Sequence, residues 1–335
     1  MGPLVRATVE RYRDRVSAWE VWNEPDNNSR GTAPVEAYID LYIRTATIVR
    51  ELQPTGQLYA VALASTPEYA EKFLAGINAR NRLALVDAVT VHGYPRNPDN
   101  TAIIDRLRAF IAPLGRNVQL RQGETGAPSR YQDNFALRGI AWTENTQAKW
   151  DLRRMLAHHA KDVPMNLFTL SDMHYTQATN TSGKADGILR MNYKGLVGTN
   201  PDQTVGRVKL AYSAAQGVFS IFDDELARLG DFPFTTTALR DVALTGYVRM
   251  TTGGQVVAYW FNDAPPAEAN GVDLVDVTLP KGRFTEPVLV DLRTSLVYTI
   301  PKERWSQNEK GAIFKALPVY DSPLVLAEAA LLHVE

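Results

Sequence analysis

Between Val16 and Phe222 the chain alternates short apolar runs with longer stretches of helical spacing, and this beat restricts its fold more than any other feature. Five runs read as strands: 16–22, 58–63, 86–91, the stretch opening at Val118–Leu120, and 166–170. Helical patterns cover 34–52, 67–77, 101–113, 142–161 and 205–222. Strands and helices in strict succession build parallel βα units, because a parallel strand needs a helical crossover to return. Residues 1–16 add an opening helix, with Val5, Val9 and Tyr12 at spacings of three and four.

Past residue 231 the pattern changes. Short β-branched runs (247–250, 256–261, 272–279, 288–292, 297–300 and 324–327, with Phe232-Pro233-Phe234 before them) are separated by Gly, Pro and Asp-rich punctuation. Only 329–332 suggests a helix. We expect an α/β chain in two parts: a (β/α)8-type barrel domain over 1–230 and an antiparallel, sandwich-like β-domain over 231–335. Five strands where a barrel has eight make the barrel incomplete.

Composition excludes several function classes. Thirty-six Lys and Arg against 37 Asp and Glu give a net charge of -1, which supplies no basic surface for nucleic acid or anionic membranes. No apolar run approaches the ~20 residues of a membrane helix. The absence of cysteine removes disulfides, thiol catalysis and cysteine-ligated metals. There is no HExxH, the five histidines are scattered, and Gly195-Leu196-Val197-Gly198 lacks the lysine of a phosphate loop. No cofactor or metal is therefore expected. The sequence says nothing of oligomeric state.

Polar residues cluster where strands end: Trp22-Asn23-Glu24-Pro25-Asp26, His92-Gly93-Tyr94 and Gly123-Glu124-Thr125-Gly126. In a parallel barrel the C-terminal strand ends converge on one face, so Glu24 and Glu124 can share a site. Two carboxylates there suit glycoside hydrolysis, one donating a proton and the other attacking or activating water. Against this, an Asn-Glu pair is commonly a surface turn, and a Gly-flanked glutamate is commonly a loop. Strand alternation puts Trp19, Val21 and Asn23 on one face and Glu20, Trp22 and Glu24 on the other. Both tryptophans read as core. The fifth run ends in Asp172, His174 and Tyr175, where Asp172 and His174 suit either hydroxyl binding or a structural role. The stretch 177–206 is long for a βα loop and contains turn signals at Asp186-Gly187 and 198–201.

The stretch Trp22-Asn23-Glu24-Pro25 resembles the Asn-Glu-Pro signature that closes barrel strand four in clan A glycoside hydrolases. His92-Gly93-Tyr94 and Gly123-Glu124 are similar to the clan's strand-six and strand-seven motifs. Lys194-Gly195-Leu196, Ala211-Tyr212 and 317–323 resemble family 39-like members. The resemblance implies a retaining glycosidase, with Glu24 as general acid/base and Glu124 as nucleophile. It implies that Asn23 contacts the sugar 2-hydroxyl, that His92 and Tyr94 orient Glu124 or bind hydroxyls, and that the partner is a carbohydrate. The tryptophan that the clan commonly carries near the end of strand eight has no counterpart here. Strands one to three would lie in about 100 residues upstream of Met1, together with any export signal. The compartment stays open, and export would follow from such a signal. If those strands are absent, the alternative is a non-catalytic carbohydrate-binding or structural relative.

Overall fold

A computed structural model of the protein describes residues 2–27, 31–64, 66–175 and 190–332. The chain divides into two units. The first holds Met1–Gly93, Thr101–Thr125 and Val163–Asn166, and the second holds Tyr94–Asn100, Gly126–Asp162 and Leu167–Glu335.

The first unit is the expected βα series. Its strands are β1 (Ala18–Val21), β2 (Gln57–Leu63), β3 (Ala88–His92), β4 (Gln119–Thr125) and β5 (Met165–Leu167), lying side by side in sequence order. The β1–β2, β2–β3 and β3–β4 pairs are parallel. Every residue of β3 is buried, as expected for a parallel strand covered on both faces. The helices are α1 (Gly2–Tyr12), α2 (Val35–Leu52), α3 (Pro67–Ala79) and α4 (Ala102–Ile111). Their buried residues repeat at helical spacing: Tyr38, Ile39, Tyr42, Ala46 and Val49 on α2, and Tyr69, Ala70, Phe73, Leu74 and Ile77 on α3. Phe73 is the hub, with ring centroids 5.3 Å from Tyr38 and 5.2 Å from Tyr42. The Tyr38 hydroxyl donates to the Val21 carbonyl and accepts from the Val61 amide, fastening α2 to both strands.

The second unit contains α5 (Glu144–His159), α6 (Leu210–Ile221) and the antiparallel sheets. A six-stranded sheet runs β10 (Leu226–Arg228), β12 (Val242–Arg249), β13 (Gln255–Phe261), β19 (Leu324–Glu328), β15 (Pro287–Asp291) and β16 (Leu296–Thr299). A four-stranded sheet runs β11 (Thr235–Thr236), β14 (Asp273–Leu279), β18 (Gly311–Val319) and β17 (Trp305–Asn308). Tyr259, Phe261, Val277, Phe314, Leu317 and Leu326 form their shared core.

Several local expectations are corrected. Residues 205–208 are not helical. They form strand β9 (Val205–Val208), paired with β8 (Val197–Thr199), and α6 starts only at Leu210. A second hairpin joins β6 (Met173–Tyr175) to β7 (Arg190–Asn192), so the long segment after β5 carries hairpin structure; Asp186-Gly187 lies outside the described residues. Phe232 and Phe234 pack against the β core without forming a strand, and 329–331 is one 3-10 turn. No helix among the described residues is long and apolar enough to cross a membrane.

Helix α5 departs furthest from its sequence pattern: every residue from Thr146 to His158 is buried, charged ones included. Burial pushes the Asp151 carboxyl up to about 8, against the pull of the Ala127 amide and the charges of Lys209 and Lys194. Asp151 therefore keeps its proton in the folded state at pH values where the unfolded chain has released it. Folding stability must then fall as pH rises from about 4 to 8 on account of this group, because the native state binds the extra proton. Asp151→Asn should gain stability relative to wild type across that interval, read by urea unfolding at a series of pH values. In the first unit, Phe73→Ala should cost about 3–5 kcal/mol, measured the same way.

Candidate functional site

Strand β1 ends at Val21, and the backbone then leaves the extended region: Trp22 has φ 68° and Glu24 has φ 51°. Alternation therefore fails after Val21, and Trp22 is 56% exposed rather than part of the core. Left-handed backbone at non-glycine residues is costly and persists only where neighbours enforce it. Here they do. The Glu24 amide donates to the Ala62 carbonyl (3.1 Å), and the Ala62 amide donates to the Thr90 hydroxyl (3.1 Å), which itself donates to the Glu20 carboxylate. Asp26, 2% exposed, accepts from the Ala64 amide (2.8 Å) through Oδ1 and from the Thr66 amide (2.9 Å) through Oδ2. The turn bearing Glu24 is thus clamped to the end of β2, which is itself irregular, with Val61 at φ 79° and Ala62 at φ 41°.

On β3 and β4 the register matters as much as the residues. Val91 pairs with Gln122, but His92 pairs with Glu124, so Gly123 is an extra residue bulged out of the ladder. A Cβ at Gly123 would lie 3.3 Å from His92 Nε2, so glycine lets the two strand ends close around the imidazole. The bulge brings three sequence-predicted residues together. His92, 3% exposed, has Nδ1 3.1 Å from Glu24 Oε1 and 3.7 Å from Glu124 Oε2. Glu24 Oε2 also accepts from Asn27 Nδ2 at 2.6 Å. One ligand atom from each of Glu24, His92 and Glu124 lies within 4.8 Å of the others. Side-chain exposures of 14% and 26% leave Glu24 and Glu124 open to a small substrate.

Chemically, such a cluster can hold two carboxyl groups at unequal protonation around a shared imidazole, or it can ligate a divalent cation. The strand ends, not sequence spacing, gather this donor set.

The remaining candidates are placed as follows. Asn23 is exposed beside Glu24. Tyr94 belongs to the second unit, where the Lys194 ammonium lies 5.3 Å from its ring centroid. Asp172, also in the second unit, is buried against Lys209 Nζ (2.6 Å) and accepts from the Gly195 amide (3.0 Å). Burial raises its pKa, although Lys209 opposes the rise. His174 Nε2 meets the Thr199 hydroxyl at 2.8 Å. Sequence reasoning missed Asp26, although it directly follows the Asn-Glu-Pro stretch. It also weighed Gly123 only as a turn residue.

No family model matches the chain, and no curated protein does. Solved structures do. A family 39 glycoside hydrolase from Bacteroides cellulosilyticus WH2 aligns over 98% of this chain and 61% of its own, with a TM-score of 0.61 and 15% identity. A monomeric beta-xylosidase from Caulobacter crescentus CB15 aligns over 97% of this chain and 73% of its own (TM-score 0.56, 13% identity). A family 51 alpha-L-arabinofuranosidase from Bifidobacterium longum aligns over 92% and 66% (TM-score 0.55, 12% identity). The fold is that of these glycoside hydrolases. The chain spans less than two thirds of the length of the first of them.

Asp26→Ala would strand two backbone amides that now have a charged acceptor. It should destabilise the protein by about 1–3 kcal/mol in denaturant unfolding. Asp26→Asn, which keeps one acceptor oxygen, should cost less.

Proposed function

We propose that this chain carries the catalytic carboxylate pair of a retaining glycoside hydrolase. The observation that carries the reading is the approach of Glu24 and Glu124 at two strand ends, with an oxygen of each within 4.8 Å. Double displacement calls for carboxyl groups roughly 5–5.5 Å apart, whereas inversion leaves about 6.5–9.5 Å for a water. In this reading a Glu124 oxygen attacks the anomeric carbon as the glycosidic bond breaks, and Glu24 gives its proton to the departing oxygen. Glu24 then takes a proton from water, which displaces Glu124 and releases the sugar with net retention. His92, within reach of both carboxylates, orients them. Asn23 reaches the 2-hydroxyl, and Tyr94, Asp172 and His174 are assigned to further hydroxyl contacts, with Asp172 already engaged by Lys209.

The five parallel strands support a barrel read as strands four to eight, and the two antiparallel sheets support a sandwich beginning near residue 231. Names among the similar structures, a beta-xylosidase and an arabinofuranosidase, make pentosides the first substrates to try.

Aryl glycosides provide the test. Glu124→Gln should abolish aglycone release without changing the unfolding curve. Glu24→Ala should lower kcat by about 10²–10⁴, least on activated leaving groups, with azide restoring turnover as a glycosyl azide. Sugar binding with no turnover, unaffected by either change, would favour the non-catalytic alternative. The donor set of Glu24, His92 and Glu124 favours one further reading, a divalent cation site. Activity lost to a chelator and restored by metal would select it, because displacement by carboxylates alone is indifferent to chelation.

A further inference from the structure

We propose that the β-sheet unit contains a second ligand site, a pocket for a small amphiphilic anion: a compact apolar body bearing one carboxylate. The pocket is a cavity of about 340 Å³ opening where β16 and β18 leave their two sheets, within the range of small-molecule sites. Its floor is one end of the β core: Leu289, Ile300, Leu317 and Leu324, each no more than 7% exposed. Val272 and Tyr298 stand at the rim, 50% and 46% exposed, so apolar surface continues from the floor to the mouth. An apolar recess reaching a protein core is filled in most folds by a side chain of the chain itself.

Charge decides the ligand class. The lining carries Arg293, Arg304 and Lys315 against a single carboxylate, Asp291. Asp291 is already satisfied: it accepts from the Tyr320 hydroxyl (2.9 Å) and from the Arg293 amide (2.9 Å). Arg293 is held in place by the Tyr320 hydroxyl (3.4 Å) and Asn145 Oδ1 (3.3 Å). Arg304 and Lys315 are exposed and make no ion pair among the described residues. Two unpaired cations over an apolar floor attract an anion whose body is greasy. A sugar would find few free acceptors for its hydroxyls here, since Asp291 is already engaged. The prolines Pro301 and Pro318 give the walls rigid, flat surfaces that suit an aromatic or short aliphatic body alike.

The test is calorimetric titration of the full chain with 2-naphthoate, decanoate and the neutral 2-naphthylmethanol. Saturable one-to-one binding of a carboxylate, at least about tenfold tighter than the alcohol, is expected. Preference between naphthoate and decanoate distinguishes an aryl acid from a fatty acid as the natural source. Arg304→Ala combined with Lys315→Ala should remove the advantage of the acid and leave alcohol binding unchanged. Neither residue supports the core, so the double variant should unfold like wild type. Val272→Trp, which crowds the mouth, should weaken acid and alcohol together. No saturable binding of any probe, or equal binding of acid and alcohol, would overturn the proposal. Retained acid preference in the double variant would overturn it as well. Because the readout is binding in the β-sheet unit, the outcome is independent of whether Glu24 and Glu124 prove catalytic.

Discussion

Helix α5 buries its charges, and the second unit is organised around satisfying them. Lys149 Nζ bonds the Asp321 carboxylate (2.7 Å) and the Ala267 and Ala269 carbonyls (2.8 Å each). Arg153 grips Asp99, Asn97 and the Ala264 carbonyl, while Asp99 also accepts from Trp260 Nε1 at 2.7 Å. Arg154 donates to the Pro98 and Asn100 carbonyls, and burial draws its pKa down to about 9. Burial likewise holds His158 neutral, its pKa down near 3. A buried charge without its partner costs several kcal/mol, so these contacts are obligatory rather than decorative. They explain why residues 94–100, which follow β3 in sequence, belong to the same unit as the C-terminal strands.

That arrangement also marks the limit of what periodicity could reveal. The βα series was legible because its strands and helices bury hydrocarbon at spacings of two and of three to four, and the burial of α2 and α3 follows that stripe. Helix α5 has no such stripe, because ion pairs substitute for hydrocarbon on its polar sides. His158 is packed and bonded to the Arg154 carbonyl. Strand β18 escaped notice because Lys315 and Pro318 interrupt its apolar alternation, and Ala316 adopts φ 51° within it. The error at 205–208 has a different origin: Val205 and Val208 lie at helical spacing, yet pairing with β8 decides the local backbone.

At the candidate site the residue types were readable and the geometry was not. Glutamates and a histidine at strand ends announced themselves as polar residues closing apolar runs. Nothing in the sequence announced that Trp22 would turn out to solvent, since that depends on a left-handed backbone imposed by Ala62 and Asp26. The same holds for the contact between His92 and both carboxylates, which is a matter of strand register.

The single unpaired residue at Gly123 therefore has a meaning beyond local shape. Side chains on a strand change sides with every residue. Without the bulge, His92 would face Gly123, and the Glu124 side chain would point away from Glu24. The site is thereby counted as well as composed. With the sequence as it stands, the register at this one bulge decides which face of the sheet holds the second carboxylate.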